Sequence, residues 1–456
     1  MPEKHTVRRK YTNTNTNTRK RHSPSISGKY LGTTHGWKRV EVYGEPYTCG
    51  FAHGWLLWED LKHCLELLKQ LVADEFEMTY PEYIQYCEKH VQASIAEHCP
   101  EILEEMRGIA DGASRRSRTW RVSISDIIGW NSYLSLADAL DKTARKKRDP
   151  QRCSAFIATG SATEKGDIIM AHNTHCHLAL GAVSNIIMYV SPAKGHAFVM
   201  QTCAGLICST MDWFLCSSGI IGCETTISGI TYTPEIDVPY FCRIRKCMQY
   251  GNSLKEYADI MTTHNGGDYP CSWLFGNTHN GEIMLCELGK NTHRVETTKD
   301  GVFFGMNSAM DTKLRALQTD TFSTENEQLS INARRERLDY LLNDKYRGKI
   351  NLKNAKQVIA DHYDTWVNRE QMSARGVCKH SEVDTGDAPV RPYGAVDGKV
   401  VSTRLAKQMA FWGRFGSSCG RAFRAKPFTR KYPKYAKALL KDLPEQPWII
   451  LSPPKN

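Results

Sequence analysis

The sequence predicts an α+β protein, on two observations. Apolar residues, many of them leucine, recur at helical spacing through the first third of the chain. After residue 152 the period switches to short apolar runs bounded by Gly, Pro and polar turns. Helical patterns return beyond residue 250, so helices flank a sheet that lies inside. The composition allows this: 41% of the 456 residues are hydrophobic and 24% charged, enough for a sizeable core.

Residues 1–30 read as a disordered basic arm. Lys4, Arg8, Arg9, Lys10, Arg19, Lys20 and Arg21 stand against Glu3 alone in the first 22 positions, a net +6 of the formal +11. Thr12–Thr18 alternate Thr and Asn. Such a tail buries nothing, and its charge predicts weak, salt-sensitive contact with polyanions.

Residues 31–141 read as a mainly helical region. WKRVEVYG, from Trp37, alternates like a strand, and Gly44, Pro46 and Gly50 punctuate the stretch after it. A helix is expected over Ala52–Val72, with Leu56, Leu57, Leu61, Leu65, Leu68 and Leu71 on one face. Others run from Pro81 to near Pro100, from Glu101 to about Gly112, and over Ser125–Leu140. The segment 142–152 then combines six basic residues with Asp149 and Pro150, which predicts an exposed, protease-accessible loop.

Residues 153–456 read as the core. SAFIAT (154–159), DIIMAH (167–172), NIIMYV (185–190) and HAFVMQT (196–202) predict core strands of an antiparallel sheet. Further strands are expected at Gly219–Thr226 and Glu282–Leu288. Helices are expected over Ser253–Thr263, Ile331–Leu342, Leu352–Tyr363 and Thr403–Phe415.

Several classes drop out. No run of about 18 apolar residues occurs, as a membrane-spanning helix would need. The first residues lack the apolar stretch of a signal peptide, which favours an intracellular setting and reduced thiols for the 16 cysteines. No CxxC pair occurs, which removes the zinc-ribbon pattern. His172, His175, Cys176 and His177 can be read as metal ligands, but adjacent strand residues point to opposite faces, so at most two share a site, and no CxxC partner is near. No metal or organic cofactor is expected. GSSCG (416–420) fits GxSxG around Ser418, but a helical pattern precedes it where a nucleophile elbow needs a strand.

One position carries chemistry. Cys153 opens a predicted core strand directly after the basic loop. If the Arg152–Cys153 bond were cut, Cys153 would hold a thiol and an α-amine. An α-amine titrates near about 7.7–8.0, so it can serve as base for its own side chain. AHNTHCH brings His172, Asn173 and His175 within hairpin reach of Cys153, placed to orient the amine or a substrate acyl group. An ordinary buried cysteine before a strand has the same pattern, and spacing alone leaves both readings open.

The run CSAFIATGSATEKGDIIMAHNTH (Cys153–His175) resembles the nucleophile region of the phospholipase B-like family, cysteine N-terminal-nucleophile hydrolases related to penicillin acyltransferase-type enzymes. Further motifs resemble that family in order: GEPYTCGFAHGWLL (Gly44–Leu57), DWFLCSSGIIGCETTISG (Asp212–Gly229), SWLFGNTHNGEIMLCELG (Ser272–Gly289), MSAR (Met372–Arg375) and PYGAVDGKVVS (Pro392–Ser402). The resemblance implies an αββα sandwich of N-terminal-nucleophile hydrolase type with a helical N-terminal region. It implies self-cleavage between Arg152 and Cys153, then hydrolysis of an amide or ester in an acylated small-molecule, lipid or peptide substrate. Cys153 is its nucleophile, with His172 and Asn173 beside it. Arg375 falls on a substrate carboxylate or phosphate, or on a surface ion pair. His175, Trp213, Glu224 and Thr225 fall along the substrate site. Related enzymes carry an Asp shortly after that Asn, near where His175 stands here. Many also place an Asn just before the Trp of SWLF, where this chain has Cys271 and Ser272. The oxyanion donor is then Asn277 or Asn280, or is missing. The rival class is a catalytically inactive structural protein on the same fold, its basic arm contacting nucleic acid or an anionic surface.

Overall fold

The computed structural model describes residues 26–117, 119–140, 153–319 and 328–454. Most of the expected arm and the whole 142–152 loop, Arg152 included, lie outside the described residues. The chain enters through a hairpin, β1 (Gly28–Thr34) and β2 (Trp37–Gly44), so the arm ends before residue 28. The two turn residues, His35 and Gly36, both have positive φ (47° and 83°), as a two-residue hairpin with the sheet's twist requires.

The first helix begins at Pro46 instead of Ala52. It runs Pro46–Leu56, breaks at Leu57 and resumes as Trp58–Glu75. Gly50 is not punctuation but a point of close approach. A Cβ on Gly50 or Gly54 would sit 1.9 or 2.0 Å from the carbonyl oxygens of Glu105 or Ile109 in helix Pro100–Arg116. Reciprocally, a Cβ on Gly108 or Gly112 would meet the Tyr47 or Phe51 oxygen at 2.2 or 2.1 Å. The two glycine pairs let the backbones touch. Helix Tyr80–Cys87 passes through a π turn into Ala93–His98, and Ile124–Leu140 completes this layer.

Next come β3 (Ser154–Gly160), β4 (Gly166–Asn173), β5 (His175–His177), β6 (Ile186–Pro192), β7 (Phe198–Thr202), β8 (Trp213–Cys216) and β9 (Ile220–Thr226). Helices Tyr240–Tyr250 and Leu254–Thr262 lead to β10 (Cys271–Asn277), β11 (Glu282–Leu288), β12 (His293–Thr298) and β13 (Gly301–Gly305). Helices Ser330–Asp339 and Leu352–Val358 precede the short strands β14 (Tyr363–Asp364), β15 (Arg369–Glu370) and β16 (Tyr393–Ala395). The last strands are β17 (Asp397–Ser402), β18 (Phe411–Phe415) and β19 (Ile449–Leu451).

Two expected helices are shorter than their patterns. The one from Leu352 stops at Val358, and the one from Thr403 stops at Ala406. FWGRF is β18 instead: it alternates buried and half-buried residues, a strand period read as a helix.

Most strands fall into two sheets. One has nine strands in the order β1-β2-β6-β7-β8-β9-β10-β11-β12, and the other six, β13-β3-β4-β17-β18-β19. β2 runs parallel to β6, so the larger sheet is mixed. Alternation then sorts each strand's side chains between layers. Met188, Met200, Phe214 and Phe275 face the helices before residue 141 and those at 240–262. Ile187, Val199, Leu215 and Leu274 meet Ile157, Met170 and Val401 of the smaller sheet. Phe156, Ile169 and Val400 pack on Leu338, Leu341 and Val358. The protein is α+β, with two sheets face to face between helices. Residues before 141 supply two strands and most of one helical layer, so they share a core with the rest.

Candidate active site around Cys153

The β3–β4 hairpin pairs Ser154 with Asn173 and Ala155 with His172. Because successive side chains alternate, His172 points between the sheets toward β9 while Asn173 points away. Cys153, one residue before β3, is 3% exposed, and its thiol donates to Asp212 Oδ2 at 3.8 Å. The Cys153 sulfur, a ring nitrogen of His172 and a carboxylate oxygen of Asp212 all lie within 4.8 Å of one another. Asp212 precedes β8 with φ 56°, a left-handed conformation that Asp tolerates better than most residues, and this backbone aims its carboxylate at the thiol.

Burial pushes the Cys153 thiol well above its usual range, and the Asp212 and Glu224 carboxylates add to the effect. The backbone N–H of His175 and the Lys399 ammonium oppose it. The thiol is therefore neutral. His172 is fully buried and held well below the usual histidine range, first by burial and then by Lys399. Its Nε2 lies 3.0 Å from the Glu224 carbonyl oxygen, which can only accept, so Nε2 carries the proton. Among the described residues, Nδ1 is buried without a hydrogen-bond partner. A neutral imidazole with a bare nitrogen beside a protonated thiol is arranged to take its proton.

Two buried cations frame this pair. Lys399, opposite His172 in the β4–β17 ladder, donates to Thr174 Oγ1 (2.9 Å) and Met211 O (3.0 Å) and pairs with Asp397 (3.0 Å). Arg334, on helix Ser330–Asp339, donates through Nη1 to Cys153 O (2.6 Å) and Ser154 Oγ (3.1 Å), and through Nη2 to Asn307 Oδ1 (2.9 Å). Sequence reasoning missed Asp212, Lys399 and Arg334 as site residues. A lysine inside the apolar strand DGKVVS was a usable signal. Arg334, in NARRERLD, looks like an exposed helical face.

The other expected residues divide. His175 contributes its backbone N–H, while its ring Nε2 turns to Val377 O at 3.0 Å. Asn173 spends its amide on Ile359 O (2.7 Å), Val377 O (3.1 Å) and Ser418 Oγ (3.1 Å), so it holds three loops instead of a substrate. Glu224 supplies the carbonyl under His172, and its buried carboxylate accepts from Tyr269 at 2.7 Å. Thr225 is buried against Gly305 of β13.

Four expectations are corrected. Arg375 forms a buried ion pair with Asp364, its Nε 2.9 and 3.0 Å from the two oxygens, and only its Nη2 reaches an exposed partner, Asp387, at 3.5 Å. Trp213 fills the core between the sheets, against Phe411. Asn277 and Asn280 cap the β10–β11 turn, accepting from His279 N and Glu282 N. Thr159 donates to Gly281 O, which puts this turn at the far end of β3. At about 3.3 Å per residue it lies about 20 Å from Cys153, too far for an oxyanion donor. Ser418 does come after a strand, but no helix begins before residue 425, and its hydroxyl is engaged by Asn173 and Cys378.

No protein-family model matches the chain. An uncharacterised protein of Archaeoglobus fulgidus is 27% identical over 246 residues, 52% of this chain and 38% of the relative. A Caenorhabditis elegans protein named, provisionally, phospholipase B-like 3 is 25% identical over 190 residues, 37% of this chain and 32% of the relative. The chain spans about a third of the length of these curated relatives. Two mutant forms of conjugated bile acid hydrolase from Clostridium perfringens superpose with TM-scores of 0.35 and 0.31 at 10% identity, covering 58% of this chain and 89% of theirs. So loose a superposition carries no argument about chemistry.

Proposed function

We propose that this chain is a cysteine N-terminal-nucleophile hydrolase that cleaves itself before Cys153 and then hydrolyses an acyl amide or ester bond. The observation that carries this reading is the thiol–imidazole–carboxylate cluster of Cys153, His172 and Asp212 at the threshold of a core strand. The weak homology to a phospholipase B-like protein supports it. So does the layering of two sheets between helices, which we take as the αββα sandwich of that class.

In the first stage His172 takes the Cys153 proton and the sulfur attacks the carbonyl carbon of Arg152. The C–N bond breaks as the C–S bond forms, and the proton passes to the departing amine. Water then hydrolyses the thioester, leaving a carboxylate on Arg152 and a free thiol and amine on Cys153. In the second stage the amine assists as base, the thiol attacks the substrate carbonyl, and water cleaves the acyl thioester. Arg334 fixes the Cys153 backbone throughout, and the His175 N–H faces the sulfur. The 142–152 segment is then the processing loop, and the basic N-terminal arm a polyanion-contacting tail.

One observation favours the scaffold reading: thiol and imidazole are both buried in the uncut chain. Intact mass and N-terminal sequencing separate the two. The hydrolase reading expects two fragments, the second beginning at Cys153, and their loss together with turnover in Cys153→Ala. A folded 51.7 kDa chain that never splits overturns it.

A further inference from the structure

A second cluster lies beyond the Cys153 pair. Cys378, His380, Cys419 and His362 come from three separate segments, yet both sulfurs and one nitrogen from each ring lie within 4.8 Å of one another. We propose that these four side chains bind one zinc ion, as a structural Cys2His2 site distinct from the catalytic cluster.

The distances fit a tetrahedron. Zinc–sulfur bonds of about 2.3 Å and zinc–nitrogen bonds of about 2.0–2.1 Å at tetrahedral angles put sulfur and nitrogen about 3.5 Å apart. His380 Nε2 lies 3.4 Å from the sulfur of Cys378 and 3.4 Å from that of Cys419. The His362 and His380 ring centroids lie 5.2 Å apart with the planes tilted by 54°, and among the described residues His362 Nε2 is buried without a hydrogen-bond partner.

The surroundings fit as well. A zinc-bound histidine commonly donates its other ring N–H to a carboxylate, which fixes its tautomer. His380 Nδ1 lies 2.8 Å from Glu382 Oε1, leaving Nε2 to face the sulfurs. The Cys419 sulfur also accepts a hydrogen bond suited to a thiolate, from the Arg421 backbone N–H at 3.4 Å, and Ser418 Oγ lies 3.2 Å from the Cys378 sulfur. Two thiolates with two imidazoles, all protein-supplied, are a closed structural set that selects zinc over harder cations.

Such an ion would tie the segments at 362, 378–380 and 419 together. Those segments also carry Val377 and Ser418, which hold Asn173 and His175 at the end of β4. The ligands escape a spacing search because no two stand as CxxC and the set spans residues 362 to 419.

The test is metal analysis of the full chain purified without chelator, before and after reconstitution with zinc chloride. One zinc per chain is expected, reduced to background in the Cys378→Ser, Cys419→Ser double variant. Because that variant could fail to fold, cobalt(II) added to metal-stripped wild type gives the independent readout. Tetrahedral d–d bands with a thiolate-to-cobalt charge-transfer band support the site. Absence of stoichiometric zinc, a cobalt spectrum without thiolate charge transfer, or a Cys378–Cys419 disulfide in peptide mapping overturns it.

Discussion

Replacing His172 with glutamine removes one basic nitrogen and little volume. The amide can still donate to the Glu224 carbonyl that now accepts from His172 Nε2, but it offers no base in place of the bare Nδ1. General-base assistance contributes about 100- to 10,000-fold. At about 1.36 kcal/mol per tenfold, that is about 2.7–5.4 kcal/mol of barrier. Self-cleavage of His172→Gln should therefore slow by two to four orders of magnitude while its urea midpoint stays near wild type. The assay is cell-free synthesis, then intact mass at timed intervals across a pH series. Burial and Lys399 hold His172 below the usual 6.5, so it stays neutral and competent as the solution passes through that pH. The wild-type rate should hold level there and fall only at lower pH. A variant that matures at the wild-type rate, or a wild-type limb centred at pH 6.5, refutes the assignment.

Three further outcomes are expected. Gly50→Ala would drive a Cβ to within 1.9 Å of Glu105 O, so the helices must separate at a cost of about 1–3 kcal/mol, read as a lower urea midpoint; an unchanged midpoint denies the close approach. His53 accepts from Gly205 N at 2.8 Å, and burial holds its pKa at about 3. Below 6.5 the unfolded chain gains a proton there that the folded chain refuses, so stability falls with pH, by roughly 2 kcal/mol at pH 5. His53→Gln should remove that component, and a wild-type-minus-variant difference that does not change with pH rules it out. Arg375→Ala leaves Asp364 buried without its cation and should cost about 3–5 kcal/mol of stability with no change in KM. A raised KM in a variant of normal stability would restore Arg375 to the substrate site.

The periodicities were legible because they are local. Short apolar runs bounded by turn residues, in SAFIAT, DIIMAH and NIIMYV, marked β3, β4 and β6 to within two residues at either end. The same method failed at FWGRF, where five residues are too few to tell a strand from a helical turn. It failed again at Gly50, whose lack of a side chain serves a helix more than 50 residues away. Cys153 and His172 could be paired on sequence grounds since one hairpin joins them. Arg375 could not be placed, since its partner is set by how the 364–387 loops fold back.

By itself the chain's order of residues determined the α+β class, the hairpin that brings His172 to Cys153, and the position of that thiol at the mouth of a core strand. All three come from spacing over about twenty residues or fewer. Only the tertiary structure decided that Asp212, Lys399 and Arg334 converge on the pair, that Asn277 and Asn280 sit at the wrong end of the sheet, and that two cysteines and two histidines from three segments meet. Those contacts depend on which strands neighbour one another and which end of each faces the site, and side-chain period carries no information about either.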